Sequence, residues 1–316
     1  MDVNLWSNLI YPLLRLLCGL AIGIFIANLL ESLNWTYFLQ RLSTPLAKSA
    51  NLGPCAATAF SLAFISPNQA NAYLSEQYAA QKISWPELVI ANLFNSLPAY
   101  LAHLPTLFLL IFPVIGASAA IYVGLCLLSA LLRTLLTLTG SRLFLPNSSL
   151  KWETEQKNLS KIGFGLACQK AWQRFCRRLP KLLIYTVPIY IIIYLLQING
   201  VFAAANQWLT EQNFFKTFFS PEACSIIFLH LLAELGSALG AAGALLSTQS
   251  LSTQEVIFAL LIGNILSTPI RAIRHQLPAY AGFYTPSVGL QLIVINQLLR
   301  ASSLLLLTVL YYLLTY

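Results

Sequence analysis

Charged side chains are scarce in this sequence: Asp, Glu, Lys and Arg together make up 9% of the residues, whereas hydrophobic residues make up 58%. Soluble domains carry about 25% charged residues, so this chain has too little charged surface to solvate itself. Mostly apolar runs of roughly 20 residues, the length that crosses a bilayer core as a helix, recur along it. The composition therefore predicts an all-α polytopic protein whose surroundings are the lipid bilayer.

Motifs of catalysis and of metal binding are absent as well. The sequence contains no G-x-S-x-G, no H-E-x-x-H and no phosphate-binding G-x-x-x-x-G-K-[ST], and no apolar segment carries a pair of carboxylates. The six cysteines show neither C-x-x-C pairing nor zinc spacing, so we interpret them as small apolar residues or free thiols. We expect neither an enzyme nor a bound metal or cofactor.

Basic residues are unevenly placed, although the formal net charge is +8. Nine of the 18 lie between Arg142 and Lys181. A basic loop between apolar segments is typical of the cytoplasmic side of a membrane protein. We therefore expect this stretch to face water and anionic headgroups at the inner (cytoplasmic) membrane of a bacterium, and not to bind nucleic acid.

An internal duplication becomes visible when the sequence is shifted against itself by 168 residues. Two S-x-x-E capping boxes, which signal the start of a helix, then coincide at Ser84–Glu87 and Ser252–Glu255. Shared proline positions continue the match. We predict two repeats, residues 1–140 and 179–316, joined by a basic cytoplasmic linker of residues 141–178.

A polar stretch, Ser66-Pro67-Asn68-Gln69-Ala70-Asn71, interrupts the apolar sequence of the first repeat. The apolar run before it would measure about 18 Å as a helix, which is too short for a bilayer core of about 30 Å. One interpretation is a re-entrant helical hairpin with an unwound tip; the other is a continuous span that Pro67 kinks. The hairpin is favoured because it keeps Arg41 and Lys48 on the cytoplasmic side.

With a hairpin, each repeat has three spanning helices, and this odd number makes the two repeats inverted. Each repeat also contains an expected interfacial helix, over residues 35–48 and 208–216. The second hairpin tip, at the same offset, would be Glu234–Ser237. The spanning helices are predicted over residues 9–31, 86–112 and 114–138 in the first repeat, and over 180–203, 254–279 and 288–314 in the second.

Inverted repeats with broken helices are how many secondary transporters build a site at the membrane midplane. Amides and hydroxyls both donate and accept hydrogen bonds, so they suit a polar solute. A carboxylate inside the membrane, Glu234, suits a cation, a proton or an amine; alternatively it pairs with Arg271 or His230. The predicted solute-binding residues are Ser66, Asn68, Gln69, Asn71, Asn95, Ser96, Glu234, Ser237, Asn264, Ser267 and Thr268.

The same polar residues also have a structural interpretation. One helix face carries, at i, i+3 or i+4 spacing, Asn92, Asn95, Ser96, Ala99 and His103. Polar residues in such a position often form interhelical hydrogen bonds of about 0.6 kcal/mol each. A transporter and a non-transporting gate or scaffold therefore both remain open. The transporter requires a polar cavity reachable from one side, whereas the scaffold requires mutually satisfied polar groups and an exposed apolar face.

Several of these stretches resemble the gate-domain, or nucleoside-recognition, family of membrane proteins. That family is similar to the gate segments of ferrous iron transport protein B and to spore maturation proteins A and B, and is more distantly related to concentrative nucleoside transporters. The resemblance is carried by Ser66–Ala72, Ile83–Glu87, Asn95–Pro98, Pro113–Gly116 and Leu131–Arg133, with a weaker second copy at Leu251–Glu255, Pro286–Gly289 and Leu298–Arg300.

The resemblance implies a membrane protein that binds or moves a small polar, nucleoside-like solute. Its link to the spore maturation proteins implies instead a gate or scaffold component, with a second copy or another membrane protein as partner. The chain has no GTPase domain, so the resemblance does not imply coupling to GTP. The sequence contains a single methionine and no cysteine-rich path, which disfavours iron as the solute.

Overall fold

A computed structural model describes residues 5–33, 53–64, 66–144, 163–200 and 220–315 of the chain. Within these ranges the backbone is helical apart from short turns, and no β-strand is present. The all-α class predicted from composition is therefore confirmed. The two predicted interfacial helices, residues 35–48 and 208–216, lie outside the described residues.

The first part of the described chain contains six α-helices, of which the first, the fourth and fifth together, and the sixth lie where spanning helices were predicted. A π-helical turn, Trp6–Ile10, leads into the first helix, and a 3-10 turn, Gly116–Ser118, separates the last two. The α-helices are α1 (Tyr11–Ser32), α2 (Pro54–Ala63), α3 (Pro67–Ala79), α4 (Trp85–Phe94), α5 (Ser96–Ile115) and α6 (Ala119–Phe144).

The second part is built from fewer and longer helices. A π-helical turn, Ala272–Gln276, joins two of them without interrupting the rod. The α-helices are α7 (Phe164–Ile198), α8 (Pro221–Ser247), α9 (Thr253–Arg271), α10 (Leu277–Phe283) and α11 (Pro286–Thr315). Helix α7 begins inside the stretch interpreted as a loop, so residues 164–178 of the predicted linker are helical.

Within the described ranges, three helical segments are long and apolar enough to cross a membrane: Trp85–Leu143, Thr253–Arg271 and Pro286–Thr315. The first of them covers α4 to α6, and the chain turns within it at Gly116, whose φ of +60° is one that glycine adopts without strain. These segments support the prediction of a membrane protein.

The polar stretch of the first part interrupts the helix, as its proline predicts. Pro67 is the first residue of α3, and the Ser66 hydroxyl accepts a hydrogen bond from the Gln69 amide at 3.4 Å. The Cys55 thiol at the start of α2 donates to Gln77 Oε1 near the end of α3 at 3.8 Å. Because the first turn of one helix meets the last turn of the other, α2 and α3 form an antiparallel hairpin.

The unwound part of the hairpin is shorter than predicted. Asn68 and Asn71 belong to the opening turns of α3, so the prediction that residues 66–71 are unwound is wrong beyond Ser66. The reason is local chemistry: a serine N-cap followed by proline at the first helical position starts a helix.

The predicted second hairpin tip, Glu234–Ser237, is wrong. Helix α8 is continuous from Pro221 to Ser247, and at about 1.5 Å per residue it is roughly 40 Å long. Pro221 stands at the first position of α8, where proline is tolerated, and the interior of the helix contains no proline. Without an internal proline, nothing forces the backbone out of the helix.

The turns that precede the two capping boxes have the same geometry. Gln81 and Gln249, which are 168 residues apart, both adopt a φ of +55°. Each is followed by a residue whose amide reaches five positions back: Lys82 to Gln77 and Ser250 to Leu245, both at 3.0 Å. This is the Schellman pattern of helix ends, and both capping boxes that follow are formed.

Helices α1 and α7, the first long helices of the two predicted repeats, run antiparallel. The Phe25 ring packs edge-on against Trp172 and Phe175, with ring centroids 6.3 and 5.8 Å apart. Nearer the start of α1, Leu16 packs against Gly243 of α8. Tyr190, which lies further along α7, packs against the same glycine. Later residues of α1 therefore face earlier residues of α7.

The hairpin packs against the second part of the chain as well as the first. Its buried residues, among them Phe60 and Leu74, form one core with Phe94 of α4 and with Tyr284 and Leu292 from the second part. This packing fixes the start of α3 beside α10 and α11, where the candidate site lies.

Candidate functional site

A cavity of about 450 Å³ lies between helices of both parts of the chain. Its lining runs from exposed residues, Asn68, His103 and His275, to buried ones such as Asn95 and Arg133, so it leads from the surface into the interior. Five of the residues predicted from the sequence line it: Asn68, Asn71, Asn95, Ser96 and Asn264.

The other predicted site residues whose side chains the structure describes do not line this cavity. Ser66 caps α3, Gln69 is exposed, and Ser237 is fully buried in α8. Ser267 and Thr268 donate back to the Asn264 carbonyl at 3.3 and 2.6 Å. The side chain of Glu234 lies outside the described part of the structure, although its neighbour Leu235 lines the cavity.

An amide cluster connects the hairpin to the second part of the chain. Asn92 Nδ2 donates to Asn71 Oδ1 at 2.8 Å and to the Tyr280 hydroxyl at 2.9 Å. The Tyr284 hydroxyl donates to the same Asn71 oxygen at 3.4 Å. These bonds hold the start of α3 on α10, and they are the interhelical bonds that the structural interpretation anticipated.

A second cluster centres on Asn264 of α9. Its Nδ2 donates to the Tyr122 hydroxyl at 3.2 Å, and its Oδ1 accepts from Arg271 Nη2 at 2.8 Å. Arg271 Nη2 also donates to Thr268 Oγ1 at 3.3 Å. One buried amide thus orients both an aromatic hydroxyl and a guanidinium at the cavity wall.

Several buried polar atoms at the cavity have no hydrogen-bond partner among the described residues. Both amide atoms of Asn95 are in this state, as are Asn92 Oδ1 and His230 Nδ1. Nearly all buried polar groups in folded proteins are paired, because an unpaired one costs about 1–3 kcal/mol. Orphan groups that converge on a cavity are what a polar ligand would satisfy.

Three arginines line the cavity, and the sequence-based site contains none of them. Arg133 lies midway along α6 and is 5% exposed, Arg271 ends α9, and Arg300 lies midway along α11. The Nε atoms of Arg133 and Arg271 lack partners within the described ranges. A signal was present, because an ionisable residue inside an apolar segment is by default a functional candidate.

Among its described residues, this site has no acidic side chain and no cluster that could hold a metal ion. No Asp or Glu is among the described residues that line the cavity, and in the described ranges no group of three His, Cys, Asp or Glu side chains could hold a metal ion. The arrangement is therefore one of hydrogen-bonding amides, hydroxyls and cations around a cavity that opens at the surface.

The chain is similar over most of its length to three uncharacterized archaeal proteins from Methanocaldococcus jannaschii. It is 28% identical to MJ1556 over 286 residues, which cover 89% of this chain and 88% of that protein. It is 24% identical to MJ0871 over 277 residues, 86% and 84% of the two chains. For MJ0880 the values are 23% over 285 residues, 87% and 89%.

Two further comparisons gave no match. No protein-family model matches the chain, and no solved structure matches it.

Proposed function

We propose that this chain is an integral membrane protein that binds a small polar solute in the cavity and moves it across the bilayer. The observation that carries the proposal is the set of buried amide atoms at Asn95 and Asn92 that have no partner in the described structure. A scaffold would be expected to satisfy its polar groups mutually. The volume of about 450 Å³ is also within the range of roughly 300–1,000 Å³ typical of small-molecule sites.

The cavity walls suit the nucleoside-like solute that the family resemblance implies, but they are not restricted to it. Asn68, Asn95 and Ser96 offer both donors and acceptors, and Tyr100, Tyr122 and Tyr280 add aromatic surface. Such walls can hydrogen-bond sugar hydroxyls or base edges. Nucleosides are therefore the first solutes to test.

The proposed architecture is a pair of inverted repeats. It is supported by the matched turns at Gln81 and Gln249 and by the antiparallel course of α1 and α7. If equivalent helices run in opposite directions, an odd number of spans separates their starts. Helix α1, the α4–α5 rod and α6 supply three spans, and the α2–α3 hairpin then enters the membrane without crossing it.

This topology predicts the accessibility of two positions. In a variant without its native cysteines, Leu150→Cys is expected to react with a membrane-impermeant maleimide only after cells are permeabilised. Leu5→Cys is expected to react in intact cells, because the three spans of the first part, α1, the α4–α5 rod and α6, separate the two sites. Labelling of both positions from the same side would contradict the inverted arrangement.

The solute site is tested by Asn95→Leu. Removing two orphan polar atoms is expected to leave the unfolding temperature unchanged or raised, because no protein hydrogen bond is lost. Binding of a solute that stabilises the native protein, found by a thermal-shift screen of nucleosides, amino acids and sugars, is expected to weaken by about 1–3 kcal/mol.

Thr186→Val provides the matched control. The Thr186 hydroxyl is also buried without a partner among the described residues, but Thr186 packs against Gly240 of α8 and does not line the cavity. This variant is expected to leave solute affinity unchanged. If Asn95→Leu binds the solute as tightly as Thr186→Val does, Asn95 is a packing residue, and the gate or scaffold interpretation gains support.

A further inference from the structure

We infer that the solute is an organic phosphate, whose phosphate group is bound by Arg133, Arg271 and Arg300. This inference rests on the proposed solute-binding function and specifies the class of its ligand. The three arginines come from α6, α9 and α11, so the phosphate would be bound where helices of both parts of the chain meet.

The arginines form one positively charged group within the membrane segments. Arg300 interacts electrostatically with Arg133 and with Arg271. Like charges repel more strongly in a medium of low dielectric constant, and a buried charge is normally paired. Among the described lining residues no carboxylate balances the charge of the arginines. Arg271 donates to two side chains, those of Asn264 and Thr268, and both are neutral.

Unused donors show where the missing negative charge would bind. Arg133 is 5% exposed, and its Nε has no partner in the described structure; the same is true of Arg271 Nε. The guanidinium group is a planar fork of N–H donors that matches phosphate and carboxylate oxygens. An anion in the cavity would satisfy these donors and reduce the repulsion at the same time.

Charge and size favour a phosphate ester over a single carboxylate or a bare ion. A phosphate monoester carries about −1.5 to −2 charges at pH 7 and presents three acceptor oxygens, whereas a carboxylate supplies one charge and two oxygens. The cavity, at about 450 Å³, is of the size that holds a whole organic molecule. The amide-lined wall at Asn68, Asn95 and Ser96 then contacts the uncharged part.

The experiment compares phosphates with their neutral counterparts on the purified full-length protein in detergent. The probes are adenosine 5′-monophosphate with adenosine, and glycerol 3-phosphate with glycerol, each titrated while the unfolding temperature is recorded. We expect each phosphate to stabilise the protein at concentrations at least about tenfold lower than its neutral counterpart. Phosphatidic acid and diacylglycerol, added as mixed micelles, test whether a lipid headgroup supplies the same chemistry.

The variants assign any effect to the arginines. Arg133→Met removes one cation and keeps a long side chain, and it is expected to weaken phosphate binding about 10- to 100-fold. Arg133→Lys is expected to recover part of that loss, since it restores the charge without the fork. Arg177→Met removes the same charge from an exposed position of α7 and is expected to have no effect.

Each outcome supports or overturns a defined statement. If adenosine and glycerol stabilise the protein as well as their phosphates do, the phosphate inference is overturned while solute binding stands. If only phosphatidic acid acts, and acts through Arg133, the phosphate chemistry stands and the transported-solute function fails. If no probe raises the unfolding temperature, or if Arg133→Met and Arg177→Met behave alike, the inference is overturned.

Discussion

Gly263→Val is expected to destabilise the protein by about 3 kcal/mol or more, the upper end of the range for overpacking a tight interface. Gly263 faces α8, and a Cβ at this position would lie 2.7 Å from His230 Nδ1 and 2.8 Å from His230 Cβ. Contacts below 3.0 Å force one helix to move, and the valine methyl groups add to the overlap. Small residues that let membrane helices approach closely are common at such interfaces.

The effect should extend to solute binding, because this contact positions the cavity wall. His230 and Asn264, the residue after Gly263, both line the cavity. Separation of α8 from α9 would displace them together. Chemical denaturation in detergent measures the stability, and the thermal-shift titration measures the loss of ligand response.

Two further variants distinguish steric overlap from a general effect of valine. Gly124→Val lies in α6, where an added Cβ meets no atom within 4 Å, and it is expected to change stability by less than about 1 kcal/mol. The double variant Gly263→Val/His230→Ala should lose less stability than the sum of the losses in the two single variants, because the smaller alanine removes the overlap. A purely additive double variant would show that the His230 contact is not the cause.

The structure contains the first predicted hairpin but a continuous helix in place of the second. This difference shows what the sequence can specify. The break before α3 was predictable because Pro67 lacks a backbone donor and disfavours a helical conformation at Ser66. The 168-residue offset suggested a second break at Glu234–Ser237, where Gly236 stands, yet glycine permits a break without requiring it. In an apolar medium the backbone satisfies its own hydrogen bonds best as a helix, so α8 continues.

The candidate site was predicted in part, for a physical reason. Asn71, Asn95 and Asn264 lie on the cavity because polar residues in an apolar helix avoid lipid and face the protein interior. The convergence of Arg133 and Arg300 depends on how α6 packs beside α11, and no local pattern encodes that contact. A search for charges in the middle of apolar helices would have identified both residues, although not their common cavity.

Asn264→Leu is expected to destabilise the protein, whereas Asn264→Asp is expected to keep the fold and to weaken the binding of a phosphate. Leucine removes the 2.8 Å acceptor of Arg271 and the donor to Tyr122. Losing one hydrogen bond to a charged group, about 1.5–3 kcal/mol, and one between neutral groups, about 0.5–1.5 kcal/mol, should lower the free energy of unfolding by about 2 kcal/mol or more. Aspartate keeps an acceptor for Arg271 and can accept from the Tyr122 hydroxyl, so the fold should be retained.

Aspartate would nevertheless place a negative charge beside Arg271, inside the group of arginines proposed to bind phosphate. Because that carboxylate competes with the ligand for the same cation, the affinity for glycerol 3-phosphate or adenosine 5′-monophosphate should fall at least about tenfold. Binding of a neutral solute should change little. A stable Asn264→Asp protein that binds the phosphates as tightly as the native chain would show that the charge of Arg271 is structural, and the cavity would then select its solute by hydrogen bonding alone.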